Sequence, residues 1–97
     1  MIVHIVIFNW RDGVASKDVD ALRAAIDRTL PLLNGVQSFR HGPDLQIRPG
    51  NGDYALVATF ANEDAWRGYQ DHPAHKALVS DFVAPLRKGS VAMQIAA

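Results

Sequence analysis

The fold follows from the stretch Ile2-Val3-His4-Ile5-Val6-Ile7-Phe8, which is apolar on both of its faces. The stretch is rich in β-branched residues, is too short for a helix and is closed by Arg11-Asp12-Gly13, so we interpret it as a β-strand. Side chains alternate along a strand, so one face carries Val3, Ile5 and Ile7 and the other carries Val6, Phe8 and Trp10. A strand with two apolar faces is expected at the centre of a sheet.

The next segment predicts an amphipathic helix. Ser16 is its expected N-cap, Pro31 is expected to end its regular part at about Thr29, and Gly35 supplies a left-handed stop. Its apolar residues recur at three- and four-residue spacing, as an apolar helix face requires: Val19, Leu22, Ile26, Leu30 and Leu33.

Two further strands are predicted to form a hairpin. Residues 36–47 form the weaker strand, because polar residues interleave and Gly42-Pro43 interrupts the ladder, so this strand is expected at a sheet edge. Pro49-Gly50-Asn51-Gly52 is a strong turn signal, and residues 54–60 resume a clean β pattern.

The C-terminal part carries two helical segments and a last strand. Asn62 is expected to cap the first segment. Proline is favoured in the first turn of a helix, so Pro73 is expected to open the second segment, with His72 at its cap. Residues 90–96 are the predicted fourth strand.

The predicted order βαββαβ indicates an α+β fold of the ferredoxin-like arrangement, one domain over residues 1–97. The right-handed crossover rule gives a four-stranded antiparallel sheet with the helices on one face. The other face then stays uncovered, although the strands offer apolar side chains to it. An uncovered apolar face usually marks an interface, so we expect a homodimer in which two sheets meet face to face and close into a dimeric α/β barrel.

Composition excludes several classes of partner. The chain has 10 basic and 10 acidic side chains, spread along its length, so no electrostatic footprint for nucleic acid or an anionic membrane is present. The longest apolar run is far shorter than the ~20 residues of a membrane span. No basic segment precedes it as in a signal peptide, and we expect a cytoplasmic location.

Proton-handling side chains are densest in the run Tyr69-Gln70-Asp71-His72-Pro73-Ala74-His75. His75 falls in the first turn of the predicted helix, where the positive end of the helix dipole disfavours an imidazolium, so its ring should stay neutral and able to accept a proton. The same spacing also makes an ordinary helix start. A catalytic and a capping role are therefore both open.

His4 lies on an apolar face of the first strand, where a lone histidine is more often structural than catalytic. If that face is turned away from the helices, a cavity between the sheet and the partner would have Tyr69 and His75 at its mouth. The sheet residues lining it would be His4, Tyr54, Leu56 and Phe60. Such a cavity suits a small apolar ligand.

Metal and nucleophile chemistry find little support. His72 and His75 stand three apart beside Asp71, but ligands so close in sequence rarely converge on one ion, and no HExxH-type motif is present. The chain has no cysteine, which removes disulfides, thiolate metal sites and cysteine nucleophiles. No metal site is predicted.

The chain resembles the stress-responsive A/B barrel family, also called dimeric α/β barrel or Dabb domains. The resemblance runs nearly end to end and is strongest in residues 2–8, in Asp53-Tyr54-Ala55-Leu56-Val57-Ala58-Thr59-Phe60 and in Tyr69-Gln70-Asp71-His72-Pro73-Ala74-His75-Lys76. It implies a ferredoxin-like protomer and a β-barrel dimer.

The resemblance also implies a chemistry. A polyketide cyclase of this family uses a tyrosine and the second histidine of a His-Pro-x-His segment, which match Tyr69 and His75, and a strand-one histidine matches His4. An intramolecular aldol condensation without any cofactor would follow, with His75 as general base and Tyr69 stabilising the enolate or positioning the base. The accompanying ligand-binding candidates are His72, Phe8, Tyr54 and Leu56.

The same tyrosine and His-Pro-x-His recur in plant stress proteins of the family for which no reaction is established. Three functions therefore compete: a stress-type dimer without a reaction, a cofactor-independent enzyme acting on a carbonyl compound, and a monooxygenase, haem-dependent or cofactor-free, on the same kind of barrel. A cavity of a few hundred Å³ that reaches His75 favours the enzyme. A filled barrel with His75 bonded to the main chain favours the structural role.

Overall fold

The sheet is built around the first strand, as its two apolar faces require. A computed structural model describes residues 1–97. The four strands are β1 (Ile2–Trp10), β2 (Val36–Pro43), β3 (Tyr54–Phe60) and β4 (Arg87–Ala96), and the helices are α1 (Ser16–Thr29), α2 (Glu63–Asp71) and α3 (Pro73–Leu78). The strand order is β2-β3-β1-β4 with every neighbouring pair antiparallel, so β1 lies in the interior of the sheet and β2 at an edge. The predicted ferredoxin-like fold is confirmed.

Proline and capping chemistry set most of the helix ends. A 3-10 turn (Leu30–Leu32) follows α1 where Pro31 was expected to end it, and Gly35 has the left-handed φ of 99°. The Asn62 side chain accepts a hydrogen bond from the Ala65 N–H and caps α2 as predicted. The predicted cap at Ser16 is wrong, because Ser16 is already helical and Ala15 stands at the N-cap without a side-chain hydrogen bond.

Two strand boundaries also differ from the predicted ones. β2 ends at Pro43 instead of residue 47, because proline has no N–H to continue the ladder. The following loop, residues 44–53, turns through the left-handed region at Gln46, where the Asp44 carboxylate accepts the Gln46 N–H at 2.9 Å. β4 begins at Arg87, earlier than residue 90, because a bulge opposite Asn9 and Trp10 extends the pairing.

The two faces of the sheet have very different surroundings. The helices cover the face whose side chains form the core with theirs, including Phe8, Tyr54, Leu56, Ala58 and Phe60. The opposite face, here called the open face, carries no helix. By the strand register, its apolar side chains on β1, β3 and β4 are Val3, Ile5, Ile7, Ala55, Val57, Val91, Met93 and Ile95, and Ser38, Arg40 and Thr59 lie on the same face. Val91 is 64% exposed and Met93 54% exposed, so a large apolar surface lies uncovered.

His4 lies on the helix-covered face, whereas the predicted cavity against a partner subunit required it to lie on the face turned away from the helices. Its strand neighbours are Ala58 and Gln94, and it is only 3% exposed. The prediction that His4 lines a cavity between the sheet and a partner subunit is therefore wrong. Any cavity that His4 lines must lie between the sheet and the helices of its own protomer.

A chain of three polar side chains ties the edge strand to α1. The Tyr54 hydroxyl lies 2.6 Å from His41 Nδ1, and His41 Nε2 lies 2.7 Å from an Asp27 carboxylate oxygen. Burial raises the pKa of Tyr54 to about 12, an effect that Asp27 reinforces and Arg23 opposes. The hydroxyl of Tyr54 thus stays protonated and both nitrogens of His41 are engaged. No helix of the structure is long and apolar enough to cross a membrane.

Replacement Tyr54→Phe should lower the free energy of unfolding by about 1–3 kcal/mol, because it leaves His41 Nδ1 without a partner in a side chain that is only 5% exposed. Urea denaturation measures this as a lower midpoint with an unchanged slope. The matched control is Ser38→Ala, which removes an exposed hydroxyl pair with Thr59 and should cost far less. Equal costs for the two variants would contradict the structural role of the chain.

Candidate functional site

A cavity of about 270 Å³ lies between the sheet and the helices, and it brings the three predicted catalytic residues together. His4 reaches it from β1, Tyr69 from the last turn of α2, and His75 from α3. Most of the remaining wall is aliphatic, from Val6, Leu56, Leu78 and Val83 among others. A larger groove of about 570 Å³ follows the loop 44–53 and the start of α1, but none of the three candidates lines it and its wall is mostly polar.

His72 and Pro73 determine how Tyr69 and His75 meet. The His72 backbone is extended, with φ −66° and ψ 134°, so α2 ends there and α3 begins at Pro73 in a new direction. The His72 Nδ1 accepts the Ala74 N–H at 3.0 Å and caps α3 as predicted. This break brings the Tyr69 and His75 rings into contact, with their centroids 4.3 Å apart and their planes inclined by 48°.

Tyr69 is a protonated hydrogen-bond donor at the cavity wall. The residue is 2% exposed, and burial raises the pKa of its hydroxyl to about 12. Its ring packs against Phe60 and His4, with centroid distances of 5.0 and 6.0 Å. The hydroxyl makes no hydrogen bond within the protein and is not a fully buried atom, so it is available to a ligand.

His75 is held neutral by its surroundings. Burial is the main cause that lowers its pKa, the nearby His72 lowers the pKa further, and the main-chain carbonyl of Gln70 acts in the opposite direction. No hydrogen bond of good geometry reaches its buried Nδ1. A neutral imidazole keeps one nitrogen lone pair, which can accept a proton from a ligand.

His4 is also neutral, and two neighbours select its tautomer. The Trp66 indole N–H donates to His4 Nδ1 at 3.3 Å, and the Gln94 carboxamide nitrogen lies 3.0 Å from the same atom. An indole only donates, so Nδ1 is the acceptor and the ring proton lies on Nε2. Burial, and to a lesser extent the charge of a protonated His75, lower the pKa of His4.

The two imidazoles therefore have complementary roles. His4 Nε2 is a donor, neutral His75 offers an acceptor nitrogen, and the ring of the protonated Tyr69 packs against both imidazoles. Such a set could abstract a proton from a bound molecule and donate hydrogen bonds to the negative charge that develops.

The structure divides the four predicted ligand-binding residues into two pairs. Phe8 and Leu56 line the cavity. Tyr54 is buried on the same face but away from the cavity, with its hydroxyl bonded to His41. His72 is exposed, and its Nδ1 is used by the helix cap. No group of three or more histidine, aspartate or glutamate side chains converges in a way that could hold a metal ion.

The sequence analysis missed Trp66 and Gln94 as partners of His4. Gln94 had a readable signal, because it is the one polar residue in the otherwise apolar run Val91-Ala92-Met93-Gln94-Ile95. Its pairing with His4 depends on the β1–β4 register, which the sequence does not display. Trp66 had no such signal, because a tryptophan that faces inward from a helix ordinarily belongs to the hydrophobic core.

The topology and the register define a ferredoxin-like α+β protein with one open apolar sheet face. The chain matches the Stress responsive A/B Barrel Domain over residues 2–96 and belongs to that family.

Two of three proteins similar to this chain have no assigned activity. An uncharacterised protein of Streptomyces coelicolor is 30% identical over 83 residues, covering 82% of this chain and 84% of that protein. A dimeric ferredoxin-like protein of unknown function from Thermobifida fusca has a TM-score of 0.92 at 35% identity, covering 99% of this chain and 90% of that one. A hydroxynitrile lyase from Passiflora edulis has a TM-score of 0.83 at 17% identity, covering 97% and 90%, which shows a common fold.

The neutral histidine pair predicts a pH dependence of stability. The pKa values of His4 and His75 are lowered from 6.5 in the folded protein, so below pH 6.5 the unfolded chain binds more protons than the folded one. The free energy of unfolding should therefore fall as the pH drops through 6.5. Above pH 6.5 both states are unprotonated at these residues, and this dependence should disappear. Thermal unfolding at intervals from pH 8 to 5.5 measures the slope. The variant His75→Gln should show a shallower slope, and Lys76→Gln, at the exposed neighbouring position, should not. Identical slopes in all three proteins would contradict the assignment.

Proposed function

We propose that this protein is a homodimeric, cofactor-independent enzyme that abstracts a proton next to the carbonyl group of a small, mostly apolar molecule. The reaction takes place in the cavity between helices and sheet. His75 is the general base, and Tyr69 and His4 donate hydrogen bonds to the carbonyl oxygen. The observation that supports this most strongly is the cavity itself, since it brings the side chains of His4, Tyr69 and His75 together in a mostly apolar wall.

The chemical step uses only groups of the chain and the ligand. The C–H bond next to the carbonyl breaks, its proton passes to the nitrogen lone pair of neutral His75, and its electron pair moves onto the carbonyl oxygen as an enolate. The protonated Tyr69 hydroxyl and the Nε2–H of His4 stabilise that oxygen. The enolate carbon then forms a bond to a second carbonyl carbon of the same molecule, as in an aldol condensation, and the oxygen of that carbonyl takes the proton from His75 and becomes a hydroxyl group. Alternatively, the enolate carbon recovers the proton from His75.

The pKa directions suit these roles. A general base works best when it is unprotonated at the working pH, and the lowered pKa of His75 keeps it so. A hydrogen-bond donor to an enolate must keep its own proton, and the pKa of about 12 ensures this for Tyr69. The Passiflora edulis enzyme shares the fold, so this scaffold carries a lyase in at least one protein.

A second candidate function is ligand binding without a reaction. The mostly aliphatic wall of the cavity favours it. In that case the His-Pro-x-His segment serves mainly as the α2–α3 junction, which the His72 cap already supports.

The test of the reaction is hydrogen–deuterium exchange at the carbon next to a ketone. The probe is 4-phenylbutan-2-one in D₂O, followed by proton NMR, and the wild-type protein should exchange it faster than buffer does. His75→Gln should reduce the protein-dependent rate by about 10²-fold or more, and Tyr69→Phe should reduce it less. Lys76→Gln is the control from the same segment and should retain the rate, because Lys76 is exposed and does not line the cavity.

Two outcomes favour ligand binding alone. One is exchange at the buffer rate in wild-type protein that nevertheless binds the ketone. The other is a melting temperature that falls in His75→Gln with no exchange activity to lose.

The homodimer is the second part of the proposal, and the open face is its interface. A monomer leaves large apolar side chains of this face against water, with exposed fractions from 37% to 64%: Ile7, Val57, Val91, Met93 and Ile95. The Thermobifida fusca relative is described as dimeric. Face-to-face contact of two such sheets would bury both apolar faces of β1, one in each core and one in the interface.

The variant Met93→Glu should convert the dimer into a monomer of 10.6 kDa, because it places a carboxylate near the middle of the face, opposite Ile5. Sedimentation equilibrium at micromolar concentration measures the mass. Leu32→Glu is the control, since Leu32 is 73% exposed on the 3-10 turn outside the face. A wild-type protein that sediments as a monomer, or a Met93→Glu dimer of unchanged affinity, would contradict the proposed interface.

A further inference from the structure

One end of the cavity carries a cation without a partner. Arg87, the first residue of β4, is half-buried and lines the cavity. The two ion pairs of the structure involve other residues, His41 with Asp27 and Arg67 with Glu63, and no aspartate or glutamate lines the cavity. Partial burial of a guanidinium among aliphatic groups costs free energy unless an anion accompanies it.

The strand register places this cation away from the histidines. On β4, Gln94 is opposite His4, Ser90 is opposite Phe8, and Arg87 is opposite Trp10. The four residue steps from His4 to Phe8 span about 13 Å at the usual strand rise. The cavity thus has a neutral, proton-handling end and a cationic end.

The wall between these ends is apolar. It includes Val6, Leu56, Val83 and Ala92. Ser90 lies near Arg87 along this wall. Its hydroxyl makes no hydrogen bond within the protein and adds a donor at the cationic end. The polarity of the cavity therefore changes from neutral donors through aliphatic groups to a positive charge.

We propose that the ligand is a small apolar carboxylate, bound with its carboxylate at Arg87 and its other end against His4, Tyr69 and His75. A guanidinium binds a carboxylate through two parallel N–H donors, which fixes the orientation of the bound molecule. For a substrate, this orientation presents the end remote from the carboxylate to the base. The inference rests on the proposed function for its choice of cavity and of reactive end, and it adds the substrate class.

The experiment compares octanoate with octanamide, which has the same chain and no charge. Isothermal titration calorimetry on the full-length wild-type protein should show octanoate binding about tenfold or more tightly than octanamide. Arg87→Gln should remove that preference by weakening octanoate alone. Arg87→Lys should restore part of it, because the charge returns without the two-pronged geometry.

Lys88→Gln is the matched control. It removes the same charge at the neighbouring position of β4, where the side chain is exposed and does not line the cavity, so it should leave both affinities unchanged. Near-UV circular dichroism confirms that each variant is folded before titration.

Three results would overturn the proposal: equal affinity for octanoate and octanamide in the wild-type protein, an octanoate affinity that survives Arg87→Gln, or no octanoate binding at low-millimolar concentration. The variant His75→Gln separates this proposal from the reaction. It should lose exchange activity while octanoate still binds more tightly than octanamide, because Arg87 is intact. If the wild type and all variants lack exchange activity while octanoate binding still depends on Arg87, the proposed enzyme is refuted and the proposed carboxylate site is retained.

Discussion

The constraint on which this structure depends is that β1 is apolar on both faces while a βαββαβ chain has helices for only one of them. One face of β1 joins the core through His4, Val6 and Phe8. The other face, with its neighbours on β3 and β4, stays open. The hydrophobic free energy left on that open face, at roughly 25 cal/mol per Å² of apolar surface, favours association over a solitary protomer.

The same constraint places the candidate site inside each protomer. Because the helices cover the face that bears His4, the cavity lies between secondary-structure layers. Burial is accordingly the first cause of every shifted pKa in the cavity, lowering those of His4 and His75 and raising that of Tyr69. A site whose groups are all neutral suits proton transfer and hydrogen bonding more than ion pairing. The single cation at its edge, Arg87, then becomes the group that distinguishes one ligand class from another.

Local chemistry made several features readable in the sequence. Pro73 and His72 predicted the α2–α3 junction, and the Asn62 cap and the stop at Gly35 are present as expected. Each of these depends on a residue and its immediate neighbours, so no distant contact can change it. Ser16 was a weaker signal, because a serine just inside a helix and one at its cap look the same in sequence.

By itself the sequence determined the element order, the sheet topology, the two-sided apolar strand and the proximity of Tyr69 to His75, since all of these depend on periodicity and on short-range spacing. Only the tertiary structure decided which face of β1 the helices cover, because a period of two separates the faces without saying which is inside. That choice placed His4 in the cavity and turned Tyr54 toward His41. Register across β1 and β4, a contact between chain ends, brought Gln94 to His4 and Arg87 to the far end.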